Sequence, residues 1–190
     1  MKTRFFSLLV ALILIASVPA FAATPGGQSL KNRKTLGFAG IGHLSYSSYE
    51  SLYVDFATSG IITAGSGFQA FLEYGLADEF SITAALGYGR LHYAHKSSVP
   101  VLRTVIAENF VNIDVTGQYY FSGTDTTFQP YLAFGIGTTI SSKGAAPLFD
   151  VGIGTHYFVS EKVSLRAQLL YKTALIHHAG ELSFGAGFHF

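Results

Sequence analysis

A two-residue alternation that returns along the chain is the feature that most limits its fold, because period two is the repeat of a β-strand. Phe68, Ala70, Leu72, Tyr74 and Leu76 alternate with Gln69, Phe71, Glu73 and Gly75. After the polar turn Ala77-Asp78-Glu79, the pattern resumes as Phe80, Ile82, Ala84, Leu86 and Tyr88 against Ser81, Thr83, Ala85, Gly87 and Gly89. Val111 to Phe121, Phe128 to Gly137, Phe149 to Tyr157, Val163 to Lys172 and Glu181 to Phe190 repeat it, each with an apolar face and a small or polar face. A less regular segment near Leu36 to Tyr46 brings the expected strands to eight.

Composition decides which face is inside. The chain of 190 residues is 49% hydrophobic and only 12% charged, about half the charge of a soluble domain. A soluble eight-stranded carrier would seal Phe, Leu, Ile, Val and Tyr into a narrow lumen and show water an outer surface of Gly, Ser, Ala and Gln. The inverse arrangement places the apolar face against lipid and the small or polar face in the lumen. Tyr74, Phe80, Tyr88, Tyr119, Phe121, Phe128, Tyr157 and Tyr171 fall near strand ends, where aromatic girdles meet the membrane surface. Strands of about 10 residues suffice to span when tilted. Lipid offers backbone groups no partner, so the first strand must pair with the eighth. The expected fold is all-β, an eight-stranded antiparallel transmembrane up-and-down barrel over residues 35–190.

The start of the chain is an address. Lys2 and Arg4 precede the apolar run Phe5 to Val18, and Ala20-Phe21-Ala22 supplies the small residues of a cleavage site. Residues 1–22 read as a secretory signal peptide, since a 14-residue run is too short to span a bilayer. Cleavage leaves 10 basic against 11 acidic residues. With no basic cluster, a nucleic-acid partner is not expected. The absence of cysteine excludes disulfides, thiolate metal sites and cysteine nucleophiles. Residues 23–34 read as a polar periplasmic tail. Connections after strands 2, 4 and 6 are short, whereas Ser47 to Ala64 and Leu91 to Ala107 are long, which puts both termini in the periplasm.

The chain resembles the small outer-membrane β-barrel family, the group of OmpA-, OmpX- and OmpW-like eight-stranded barrels. The resemblance rests on Glu73 to Phe80, Pro130 to Gly137, Val163 to Ala167 and the closing aromatic Phe190, with Phe184 and Phe188 on the same face. It implies the outer membrane of a Gram-negative bacterium, outer-membrane lipid and lipopolysaccharide as surroundings, and a monomer. It also implies that Phe184, Phe188 and Phe190 form the signal read by the barrel-assembly machinery.

The luminal face gathers Glu73, Asp114, Asp150, Arg166, Lys172 and Glu181, with His43, His156 and His189. Buried charges require partners, so a network is expected in which Arg166 and Lys172 reach Asp150 and Glu181. Such pairs either fill the lumen or gate a narrow path for ions or small solutes. The luminal glycines Gly87, Gly89, Gly135, Gly137, Gly152, Gly154, Gly185 and Gly187 leave room beside Phe71, Tyr120 and Tyr131, for water or for bulky neighbours. His177-His178 with Glu181 is similar in position to the site of PagL-type lipid A deacylases. The family's serine is missing, since Ala179 and Gly180 stand two residues after the histidines, and without that hydroxyl there is no nucleophile. His92 and His95 share a His-x-x-His spacing in the second long connection, without the further ligands of a metal site. The reading assigns no catalytic residue, metal or cofactor. The expected role is structural, or surface interaction through the long loops, where Tyr46, Tyr49, Tyr53, Phe56 and Tyr93 offer aromatic contacts.

Overall fold

A computed structural model of the chain describes residues 30–47, 61–94, 105–121, 127–142, 144–174 and 177–190. They form eight strands: β1 (Lys34–Ser47), β2 (Ile61–Ala77), β3 (Phe80–Ala94), β4 (Val105–Tyr120), β5 (Phe128–Ser141), β6 (Gly144–Ser160), β7 (Val163–Thr173) and β8 (His177–His189). Each strand pairs antiparallel with the next, and β1 pairs with β8 from Thr35↔His189 to Ser47↔His177. The barrel is closed, as the hydrogen-bonding demand of a lipid environment requires.

Alternation sorts the residues as expected. Phe68, Ile136 and Phe149 point outward and are 63%, 62% and 68% exposed, while Gln118, His156, Ser164 and Lys172 are fully enclosed. Aromatic pairs mark both borders of the apolar band. Phe80 lies against Phe134 and Tyr119 against Phe121 at the rim that carries the termini, and Phe68 lies against Tyr88 near the opposite rim.

The strands are longer than the 10 residues expected. β2 and β6 have 17 residues, β4 has 16 and β3 has 15, against the 9–11 that a tilted span needs. The excess lies at the rim opposite the termini, where the pairing continues as far as Ile62↔Ala94 and Ala94↔Val105. The long connections therefore shrink to residues 48–60 and 95–104. The added strand residues include the adjacent apolar pairs Ile61-Ile62 and Val105-Ile106, which break the two-residue alternation and so hid paired strand as loop. His92 accordingly lies on β3 rather than in a connection, and His177-His178 opens β8 rather than preceding it. His95, Tyr49, Tyr53, Phe56 and the residues of the expected signal peptide lie outside the described residues, as do the side chains of Tyr46 and Tyr93.

The segment ahead of β1 packs into the barrel mouth. Leu30 is fully buried against Gly75, where a Cβ would overlap the Leu30 carbonyl. Asn32 takes φ 64°, a left-handed conformation that asparagine tolerates, and its N–H donates to the Gly75 carbonyl at 2.8 Å. The Tyr74 hydroxyl donates to Asn32 Oδ1 at 3.1 Å. In the polar stretch Thr24 to Lys34, Leu30 is the one large apolar residue, which was the available hint.

Candidate functional site in the barrel lumen

The luminal charges divide into two layers, because Arg166 and Lys172 lie six residues apart on β7, roughly 20 Å along the strand. Strands that are not neighbours in a closed barrel meet only across its lumen, so contacts between them measure how the lumen is filled.

The layer nearer the termini centres on Glu73 of β2. Its carboxylate accepts from the Tyr120 hydroxyl of β4 at 2.6 Å, and its second oxygen lies 3.3 Å from His156 Nε2 of β6. The other nitrogen of the His156 ring is fixed by Ser164, with 3.1 Å between Nδ1 and Oγ. Arg166 Nε donates to the Tyr131 hydroxyl of β5 at 2.9 Å, and a terminal nitrogen donates to Gln168. The guanidinium also rests over the Phe71 ring of β2, 4.4 Å from its centre. Tyr120 and Tyr131 pack with ring centres 5.2 Å apart, both buried.

The second layer centres on Lys172. Its Nζ donates to Asp114 Oδ2 of β4 at 2.7 Å and lies 3.2 Å from Glu181 Oε2 of β8. Glu181 also accepts from Asn112 Nδ2 at 3.0 Å, Asn112 Oδ1 accepts from Thr139 of β5 at 2.7 Å, and His43 Nδ1 of β1 stands 3.9 Å from the Glu181 carboxylate. Asp150 joins this layer through the β6–β7 register, directly opposite Lys172, yet neither of its oxygens receives a hydrogen bond.

Every expected luminal residue thus faces inward, but the pairing differs from expectation. Lys172 does reach Glu181 and takes Asp114 as its second partner. Arg166 reaches neither Asp150 nor Glu181, which stand in the other layer, and is held instead by Tyr131, Gln168 and Phe71. Tyr120, Asn112 and Thr139 are the participants that the search for charges passed over. Period two places them inward, but only the three-dimensional register shows which side chains they meet.

Several of the luminal glycines are used for packing. A Cβ on Gly154 would enter the Tyr131 ring, one on Gly89 would strike Phe110, and one on Gly137 would strike the Asp114 carboxylate. The deacylase-like arrangement does not assemble with His178. Three positions apart on β8, His178 faces outward and Glu181 inward. His178 Nδ1 instead lies 2.8 Å from the Tyr171 hydroxyl and 3.0 Å from Thr173 Oγ1, with its ring stacked on Tyr171. Among the described residues, no cluster of three or more His, Asp or Glu side chains has the geometry of a metal site.

A family model for the outer membrane protein beta-barrel domain matches residues 8–190, nearly the whole chain. The chain belongs to that family. It is an outer-membrane β-barrel, and solved structures of small barrels agree on the fold. OprG of Pseudomonas aeruginosa is similar with a TM-score of 0.64 at 12% identity, over 84% of this chain and 97% of that one. Ail of Yersinia pestis, solved with the heparin analogue sucrose octasulfate, gives a TM-score of 0.53 at 15% identity, over 84% and 99%. Neisserial surface protein A gives 0.50 at 19% identity, over 82% and 97%. No curated protein sequence matches the chain significantly.

Proposed function

We propose that this barrel is closed to solutes and serves as a structural, surface-interacting element of the outer membrane, contacting lipopolysaccharide or a surface partner through the connections between β1 and β2 and between β3 and β4. One observation carries the reading: the two layers tie non-neighbouring strands together across the lumen. Glu73 links β2 to β4 and β6, Arg166 links β7 to β5 and β2, and Lys172 links β7 to β4. An open pore would keep such groups on the wall and hydrated. The short turns 78–79 and 161–162 support a reading in which the terminus-bearing rim faces the periplasm and the long connections face the exterior. In this reading the chain is exported by residues 1–22, assembles as a monomer through its terminal aromatic strand, and performs no hydrolysis.

Planar-bilayer recording of the refolded barrel tests the closed lumen. The wild-type protein is expected to show no discrete conductance. Arg166→Ala is expected to stay silent and to unfold at a lower temperature, because it deprives Tyr131 and Phe71 of their shared partner. Reproducible steps in the wild type, altered by Arg166→Ala, would replace this reading with that of a gated channel for ions or small solutes.

A further inference from the structure

The outward face of β2, β3 and β4 changes character within one row of the sheet. Phe68, Tyr88 and Val111 form one apolar row, matched by the register Phe68↔Tyr88 and Tyr88↔Val111. The next row toward the external rim is Ser66, Arg90 and Asn109, paired directly as Ser66↔Arg90 and Arg90↔Asn109, and all three side chains are exposed. Beyond it comes Ala64, His92 and Ala107, an exposed imidazole between two small residues.

Height fixes what this row meets. Arg90 lies ten residues along β3 from Phe80, whose ring marks the opposite border of the apolar band. Ten residues advance about 33 Å along a strand, or about 25 Å along the membrane normal at the usual tilt, which equals the height of the lipid-facing band of an outer-membrane barrel. The guanidinium therefore stands at the level of the lipid headgroups, on an aromatic step whose two rings lie 5.9 Å apart.

No acidic residue occupies the neighbouring outward positions in these three rows, so nothing there neutralises the guanidinium. Directly opposed side chains in a sheet lie about 5 Å apart at Cβ, which brings the Ser66 hydroxyl and the Asn109 amide within reach of whatever Arg90 holds. The small residues beside His92 leave space above. Among the described residues, Arg90 is the one outward-facing arginine or lysine near the external rim, and outward-facing His178 is already engaged by Tyr171 and Thr173.

We infer that Ser66, Arg90, Asn109 and His92 form a binding site for the phosphate of a lipid headgroup in the outer leaflet, with the lipid's acyl chains lying along Phe68, Tyr88 and Val111. Guanidinium matches phosphate in a two-pronged geometry, and hydroxyl and amide donors flanking it complete the shell. The site requires that the barrel span the membrane and is independent of whether the lumen conducts.

Titration of the refolded barrel in detergent tests it, read as the temperature at which the heat-resistant gel migration is lost. The ligands are diphosphoryl lipid A, the same lipid with its phosphates removed, and inorganic phosphate. The proteins are wild type, Arg90→Gln, Arg90→Lys and Lys162→Gln, the last altering an exposed cation at the other rim. Diphosphoryl lipid A is expected to raise the wild-type and Lys162→Gln midpoints. Arg90→Gln is expected to need about tenfold more lipid, with Arg90→Lys between, in keeping with the loss of a charge-assisted pair. The dephosphorylated lipid and inorganic phosphate are expected to leave the midpoint unmoved. Equal titration of wild type and Arg90→Gln would overturn the site, and an equal response to inorganic phosphate would overturn the lipid as its ligand. Conductance is absent from this measurement, so a conducting barrel would defeat the closed-lumen reading alone.

Discussion

Lys172 and Asp150 face each other across β6 and β7 and make opposite predictions. Lys172 is completely enclosed and is the cation that joins Asp114 to Glu181. Lys172→Met would leave three carboxylates together in a buried layer, and breaking a buried ion pair costs about 3–5 kcal/mol. Urea unfolding from lipid vesicles should show a loss of that size. Asp150 has no hydrogen-bond donor on either oxygen and shares its layer with two other carboxylates. Asp150→Asn is therefore expected to leave stability unchanged or raise it, measured the same way. A comparable loss in both variants would mean that Asp150 shares the cation. Both residues were legible as luminal, because alternation with a two-residue period fixes the face. Their unequal partnership was not, because it depends on which strands the lumen brings opposite one another. Gly137 shows the same limit: the sequence leaves open whether such a glycine admits water or a neighbour, and the Asp114 carboxylate occupies the space.

At the scale of the strand, the strongest sequence signal and the weakest lay at opposite ends of the barrel. Turns at 78–79 and 161–162 were evident from their polar residues, whereas the outer parts of β2 and β4 passed for loop because Ile61-Ile62 and Val105-Ile106 interrupt the alternation. The segment before β1 was hidden for a related reason, since one apolar residue among polar ones gives no periodicity. Leu30→Ala tests its contribution. A leucine this buried, packed with Tyr120 and Tyr131, should cost about 2–5 kcal/mol on truncation, seen as a lower urea midpoint. Phe190 closes the other terminal strand and is 74% exposed on the lipid side. Its backbone bonds to Lys34 hold the closure at 3.0 and 3.3 Å, and its side chain buries little. Phe190→Ala is therefore expected to leave the stability of refolded protein within about 0.5 kcal/mol, as for substitutions away from packed features. In cells the same variant should reduce the heat-modifiable fraction in the outer membrane several-fold, if the terminal aromatic is read during assembly. A large loss in refolded stability would show instead that Phe190 acts through packing.

For the whole molecule, the two layers stand in series along one lumen. Glu73, Tyr120, Tyr131, His156 and Arg166 lie in the half nearer the termini, and Lys172, Asp114, Glu181 and Asn112 cross the other half. Barriers in series differ from barriers in parallel, because removing one leaves conduction limited by the other. Asp114→Ala with Lys172→Ala removes one ion pair, leaves Glu181 held by Asn112 without its ammonium, and opens only the layer farther from the termini. Tyr120→Ala with Tyr131→Ala removes the two rings that pack across the half nearer the termini and leaves the Lys172 layer intact. Each double variant is expected to remain silent in a planar bilayer. The quadruple variant is expected to conduct in discrete steps, provided that its heat-modifiable migration shows a folded barrel. Conduction by the tyrosine variant alone would mean that the Lys172 layer does not block passage, and the half of the lumen farther from the termini would then be a vestibule leading to a single plug nearer them.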